Sequence, residues 1–349
     1  MQERLDRNIA ALRLYRQHFY LPAKEKDYRQ LFSHLSPVRC VYWSAPGRPP
    51  ELGPRTAFDD AQLCFSLRAR QEIVKGRFQD GGIGYILAEE WPLFISVYRK
   101  SPLRLSAREQ ELLELLEHEG PLSIGLMREL TGLRAKDITP SLHRLQTKFL
   151  VFEDQADNEW DRSWQLFSQT FPEAERDLLP KGQAIAKLLL RFARMNILID
   201  EEMAVSFYRF SLRDVRAALA LLEKEKKLLP LLNGWISPKD RELVEEDRTA
   251  QRGIFALHRN DFLVKSFEHR LFERYRREGL EVLWYLLIDG EFQGAVLGHF
   301  HNGPYELLDV ALDLPREEAL RRRGEVLAAI ERVIDPALSP LRRYLGEEL

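Results

Sequence analysis

"SAREQELLELLEHEGPLSIGLMRELTGLRAKDITPSLHRLQTKFLVFED", residues 106–154, holds three helix signals and then a strand signal in a row. Ser106 with Glu109 three residues later forms a capping box. Leu105, Leu112, Leu115 and Leu116 then recur on one helical face. Gly120-Pro121 ends that helix. Ser123 opens a second, short helix closed by Gly132. A third helix covers AKDITPSLHRLQTKF, with Pro140 near its first turn. FLVFED and WQLF follow as extended segments, separated by the polar DQADNEW. Helix, helix, helix, hairpin is the order of a winged helix.

Working outward, the order repeats at residues 181–237. KGQAIAKLLLRFARM is amphipathic, DEEMAVSFYR opens with Asp200, and SLRDVRAALALLEKEKK has Ser211 as N-cap with Asp214 at the third position. LLPLLNGWIS then predicts a hairpin turning at Asn233-Gly234. The order also fits earlier, where KEKDYRQLFSHL (24–35) and FDDAQLCFSLRARQ (58–71) are helical and EIVKGRFQDGGIGYIL (72–87) reads as strand, turn, strand. The glycines of QDGGIG invite comparison with a phosphate cradle. A dinucleotide fingerprint needs Gly-x-Gly-x-x-Gly between strand and helix, and a P-loop needs Gly-Lys-Ser/Thr. Neither pattern is present, so this glycine cluster is expected to be the turn of a hairpin.

The tail differs. EVLWYLLIDGEFQGAVLGHF (281–300) places Asp289-Gly290 between two strand-like runs, YELLDVALDLP adds a third strand, and closing helices follow from residue 316. The charged RELVEEDRTAQRG, 241–253, reads as a linker or an exposed helix. The expected fold class is α+β: three tandem winged-helix modules followed by a small β-rich C-terminal domain. The expected divisions are 1–104, 105–178, 179–250 and 251–349.

The 349 residues suffice for several cores, and 45% hydrophobic content excludes wholesale disorder. No run approaches the roughly 18 apolar residues of a membrane helix, and the charged MQERLDRNIAALRLY lacks a signal-peptide core. Two cysteines, Cys40 and Cys64, are too few for a disulfide framework, so a cytoplasmic location is expected. Net charge is −2 overall, but residues 1–110 carry 18 Lys/Arg against 12 Asp/Glu. A basic N-terminal third on an acidic body fits a localised nucleic-acid surface.

With these elements in order, the chain resembles the AlkZ/YcaQ-like family of winged-helix DNA glycosylases. The resemblance rests on LRLYRQHFYLPAKE near the start, KGRFQDGGIGYILAEEWPLF (75–94) and LLIDGEFQGAVLGHF in the last domain. It implies duplex DNA, intact or damaged, as partner, with no cofactor. In that family a Gln-x-Gln or Gln-x-Asp motif of the first winged helix positions the attacking water and stabilises developing positive charge. The matching stretch here is HLSPVRCVYWS, 34–44, which puts Arg39 and Val41 at the motif positions with Cys40 between them. Arg39 offers donors only and the wrong sign of charge, and Val41 has no polar atom. Gln30, Gln62 and Gln71 lie nearby, but none has the partner two positions on that would rebuild the motif.

The expected DNA contacts are Arg39, Arg68, Arg70, Lys75 and Arg77 in the first module, and Arg134, Lys136, His143, Arg144 and Lys148 in the second. Arg213, Arg216 and Lys224 of the third alternate with acids and read as a solvated face. Tyr42 and Trp43 are base-stacking candidates, whereas Phe78, Tyr85 and Trp91 read as core anchors. HRNDF offers His258 and Asp261 as an acid–base pair, half a metal site or a hydrogen-bonded structural pair. His269 lies between them and the His299–His301 pair of GHFHNG, which has a zinc-like spacing but no third ligand at a recognisable spacing, so no metal is expected. A monomer is expected.

Three functions fit this pattern: a DNA-binding protein that recognises damaged or distorted DNA without family-type catalysis, an active glycosylase for alkylated or crosslinked bases using displaced carboxylates such as Glu51, Asp59 or Asp60, or a set of winged helices that contact other proteins.

Overall fold

A computed structural model describes residues 2–39, 51–100, 103–154, 162–248, 251–300 and 305–349. The chain forms two compact units: residues 1–31, 52–58 and 189–349 make one, and residues 32–51 and 59–188 make the other. The first contains α1 (Gln2–Arg16), and α2 (Tyr28–Leu35) follows in the chain.

The unit of residues 32–51 and 59–188 contains α3 (Asp60–Ala69), β1 (Ile73–Phe78), β2 (Gly82–Leu87) and α4 (Trp91–Tyr98). It continues with α5 (Ala107–Glu119), β3 (Leu122–Ser123), α6 (Ile124–Thr131), α7 (Ala135–Thr147), β4 (Val151–Asp154), β5 (Ser163–Leu166) and α8 (Phe167–Thr170). The capping box forms as expected: Ser106 Oγ accepts from the Glu109 N–H, and Glu109 accepts from the Ser106 N–H at 2.8 Å. Ser123 caps α6, and Gly132 ends it in the left-handed region at φ 70. Leu112, Leu116, Met127, Ile138, Leu142, Leu145 and Trp164 pack into one core, while Leu105 lies outside it, exposed. β3, too short to stand out in the sequence, joins the hairpin to give an antiparallel sheet in the order β3-β5-β4.

In the other unit the same order recurs, after α9 (Lys181–Asn196), whose C-terminal half belongs here. β6 (Leu198–Ile199), α10 (Glu201–Tyr208), α11 (Leu212–Lys224), β7 (Leu229–Leu231) and β8 (Gly234–Ile236) give a sheet in the order β6-β8-β7. The hairpin turn is displaced by one residue from expectation. Leu232 takes the left-handed conformation at φ 51, and Gly234 already belongs to β8. The glycine is required for a different reason: a Cβ there would lie 2.4 Å from the Ile199 carbonyl oxygen, so only glycine lets β6 approach.

α12 (Pro238–Leu243) occupies the start of the charged stretch. The last part of the chain comprises β9 (Ile254–His258), α13 (Phe262–Tyr275), β10 (Glu281–Ile288), β11 (Glu291–His299) and β12 (Glu306–Leu312), then α14 (Arg316–Arg321), α15 (Arg323–Glu331), β13 (Arg343–Tyr344) and β14 (Glu347–Glu348). Its sheet is antiparallel in the order β12-β11-β10-β9. Asp289 (φ 50) and Gly290 (φ 98) make the expected tight turn. β9 is a fourth strand that the charge of its flanks conceals.

α1 is tied to these elements. Asn8 donates to the Val244 carbonyl and accepts from the Arg248 N–H, and Gln17 donates to the Met195 carbonyl. The segment 52–58 is held by Arg55, whose side chain is 2% exposed and makes a bidentate ion pair with Asp261 at 2.5 and 2.9 Å. The same guanidinium stacks on Phe19 and donates to Gln17.

Candidate nucleic-acid interface

α2 ends at Leu35 and leads through Pro37 into Val38, which pairs with Tyr85 of β2 by two 2.8 Å backbone hydrogen bonds. This pairing brings the motif position to the β1–β2 turn. Arg39 Nε donates to Gln79 Oε1 at 2.9 Å. Gln79, Asp80 and Gly81 adopt left-handed φ values of 48, 63 and 87 in succession. Arg77 clasps the turn from its other side, donating to the Gly81 carbonyl at 3.0 Å and to Gln146 of α7 at 2.9 Å. Of the remaining glycines, Gly76 and Gly84 serve packing. A Cβ would come within 2.5 Å of the Phe78 ring at Gly76, and within 2.9 Å of Pro37 at Gly84. The sequence QDGGIG is a hairpin turn. Cys40, Val41, Tyr42 and Trp43 lie outside the described residues.

Two expected DNA contacts are corrected. Lys75 is buried: its Nζ lies 2.7 Å from Glu153, and the two side chains are 3% and 2% exposed. Arg162 pairs with the other oxygen of Glu153. Burial lowers the Lys75 ammonium to about 8, against the opposing pull of Glu153. Burial alone would raise the Glu153 carboxyl, but Lys75 and Arg162 hold it below its ordinary value. Arg68 is also buried, its guanidinium over the Tyr85 ring at 5.2 Å. A phosphate cannot reach either residue, because one cation is spent on an internal carboxylate and the other covers a core aromatic ring.

The others lie nearer the surface. Arg70 is exposed but donates to Glu72 and Ser66. Arg134 pairs with Asp137 one turn on, and Lys136 is exposed beside it at the start of α7. Arg144 and Lys148 are brought together by one buried carboxylate, Glu109, at 3.0 and 2.9 Å. Arg144 also donates to Ser141, and its Nη1 has no partner among the described residues. Burial alone would raise the Glu109 carboxyl, but the Ser106 N–H, Lys148 and Arg144 together bring it down to about 2. The result is an arginine held in place at the surface of α7 by a permanently charged anchor. His143 sits deeper, its ring 5.9 Å from Trp164. Burial, then the charge of Arg77, lowers it to about 4, so it is neutral at pH 7.

The structure therefore gathers Arg39, Arg77, Lys75 and His143 around the hairpin and α7, and Arg144 with Lys148 on Glu109, whereas Arg70 and Arg134 bind their own neighbours. Gln79, Gln146, Glu153 and the anchoring role of Glu109 are not evident in the sequence. The one available signal was the i, i+4 spacing of Arg144 and Lys148 on the helix that follows the capped one.

The histidines of the tail resolve separately. His258 is buried and its Nδ1 accepts from the Asn260 N–H, while Asp261 serves Arg55 and caps α13 through the Leu263 N–H. The two are not an acid–base pair. His299 ends β11, and His301 lies outside the described residues. Among the described residues Asp200, Glu202 and His269 bring candidate ligand atoms within 4.8 Å of one another. Arg270 already donates to both Asp200 and His269, so a cation's place there is taken by a guanidinium.

Among the described residues no helix is long and apolar enough to cross a membrane. No protein-family model matches the sequence, and no curated protein matches it. Among solved structures, the chain is similar to Streptomyces sahachiroi DNA glycosylase AlkZ, at 15% identity with a TM-score of 0.69 over 97% of this chain and 98% of that one. The α+β architecture read from the sequence, with its small antiparallel sheets, is thus an AlkZ-like fold from end to end.

Proposed function

We propose that this is a DNA-binding protein on a glycosylase scaffold, built of winged-helix modules, that recognises damaged or distorted duplex DNA without the scaffold's Gln-x-Gln or Gln-x-Asp chemistry. The observation that carries this reading is the position of Arg39. It follows the Val38–Tyr85 pairing, where the family resemblance calls for a carboxamide, and its guanidinium rests on Gln79 at the hairpin turn. A cation there opposes the positive charge that builds on a sugar as a base departs, and it suits a phosphate instead. Arg144, Lys148, Arg134 and Lys136 supply further cations along α7. The similarity to AlkZ supports DNA as the partner.

The test is fluorescence anisotropy with a labelled duplex, with and without a central abasic-site analogue, at two salt concentrations. Tighter, salt-sensitive binding to the modified duplex is expected. Equal binding to both duplexes would make the protein a general DNA binder, and no binding at low salt would remove the proposal.

A second reading is base excision by a displaced carboxylate, of which Asp59, exposed at the start of α3, is the accessible candidate. Alkali-sensitive breaks in alkylated duplex, lost in Asp59→Asn, would establish it. On the first reading the wild type gives none, and Arg39→Gln with Val41→Gln is the change that tests for gained activity.

A further inference from the structure

The unit of residues 1–31, 52–58 and 189–349 encloses an open cavity of about 470 Å³. Its walls are one face of α1, the β7–β8 turn, one face of α13 and the β10–β11 turn. Leu198, Leu232, Phe267 and Phe292 give the apolar surface open to it.

Arg13 is the unusual member of this lining. Its Nε donates to the Asn196 carbonyl at 2.8 Å, and its guanidinium lies over the Phe267 ring at 4.9 Å. Its Nη1 and Nη2 have no hydrogen-bond partner among the described residues, and no carboxylate there lies within ion-pair distance. Its neighbours differ: Arg270 is paired with Asp200 and Arg274 with Asp313. The other carboxylates of the cavity, Asp6 and Glu291, reach none of the three. Burial, and next the like charge of Arg270, hold the Arg13 guanidinium down to about 10, with Asp200 offsetting part of this. With Nη1 and Nη2 unpaired on a half-buried side chain that lines the cavity, the group that completes its hydrogen bonding is an anion in the same space. The flat guanidinium matches a carboxylate in two parallel hydrogen bonds. The apolar surface adds affinity for a body attached to that anion.

We propose that this cavity binds a small organic monoanion with an aromatic or aliphatic body, its carboxylate on the outer edge of Arg13 and its body against Phe267 and Phe292. The site is independent of the DNA-binding reading and involves none of the residues assigned to it.

The experiment is calorimetric titration of the whole protein with 2-naphthoate and with its neutral counterpart 2-naphthamide. Saturable 1:1 binding of the acid is expected, with the amide weaker by about tenfold or more. Arg13→Gln brings the acid down to the level of the amide, and Arg7→Gln, an exposed change on the same helix, leaves both unchanged. Equal affinity for acid and amide, or no saturation by the acid at millimolar concentration, overturns the proposal in the wild-type protein alone. Undiminished binding by a folded Arg13→Gln, checked by circular dichroism, also overturns it.

Discussion

The segments 106–166 and 181–236 share one topology and differ in what they present. Both run helix, short strand, helix, helix, hairpin, with the short strand pairing to the last strand. Ser123 and Asp200 cap equivalent starts, those of the second helices. Yet α7 carries Arg134, Lys136, Arg144 and Lys148, the last two fixed on a buried carboxylate. On α11, Arg216 is drawn off to Glu201, and the hairpin residues LLPLLNGWIS bear no charge at all. Leu212 and Leu232 are exposed there, and Trp235 reaches Glu223. A shared fold therefore fixes where a helix and a hairpin sit and leaves open what they bind. Only the first of the two has a pair of cations fixed on one buried carboxylate.

The sharpest break in the comparison is at Glu153, since nothing in the charge-free hairpin of the later segment corresponds to it. Glu153→Gln strands Lys75 and Arg162 and is expected to cost about 3–5 kcal/mol in urea unfolding. Glu109→Gln comes next, at about 2 kcal/mol at pH 7, because two charge-assisted bonds are lost. Its pH dependence identifies the cause. The folded value of about 2 lies below the ordinary carboxyl value of 4.5, so the stabilisation is full above 4.5 and fades as pH falls towards 2. The gap between wild type and variant should close over that range, and a constant gap would mean that Glu109 acts by packing alone.

For binding, Arg144→Ala and Lys136→Ala should each lower the slope of log affinity against log salt by about 0.9, the value for one lost phosphate contact. Arg213→Ala and Lys224→Ala on α11 should leave it unchanged, and an equal loss from both helices would erase the contrast. The smallest effects should be alike. Ser106→Ala and Ser211→Ala each remove an N-cap bond and should each cost about 1 kcal/mol by thermal unfolding, whatever the surface above them.

Much of the architecture was legible because caps, glycine stops and leucine spacing are local signals. The helices of 106–147 and 181–224 and the Asp289-Gly290 hairpin fall where those signals put them. β3 and β6 were not legible, since two residues show no alternation, and β9 was lost among charged neighbours. At the candidate site the basic residues were visible but their fates were not. Lys75 and Arg144 look alike in sequence; one is buried against Glu153 and the other is held outward by Glu109. That distinction depends on carboxylates 78 and 35 positions away, which periodicity cannot reach. Gln79 stood inside a turn signal strong enough to hide its side chain's contact with Arg39.

The bond between Arg55 and Asp261 bears on the birth of the molecule. The partners stand 206 residues apart in the chain. At translation rates of about 5–20 residues per second, Arg55 emerges roughly 10–40 s before its counter-ion exists. Residues 59–188 can assemble in that interval from contacts they already contain. The opening helix and the segment around Arg55 cannot, because their partners are still unmade. α1 and the segment around Arg55 are thus among the last of these parts to settle, and a nascent chain halted before residue 261 would carry an arginine destined for the interior with no carboxylate to meet it.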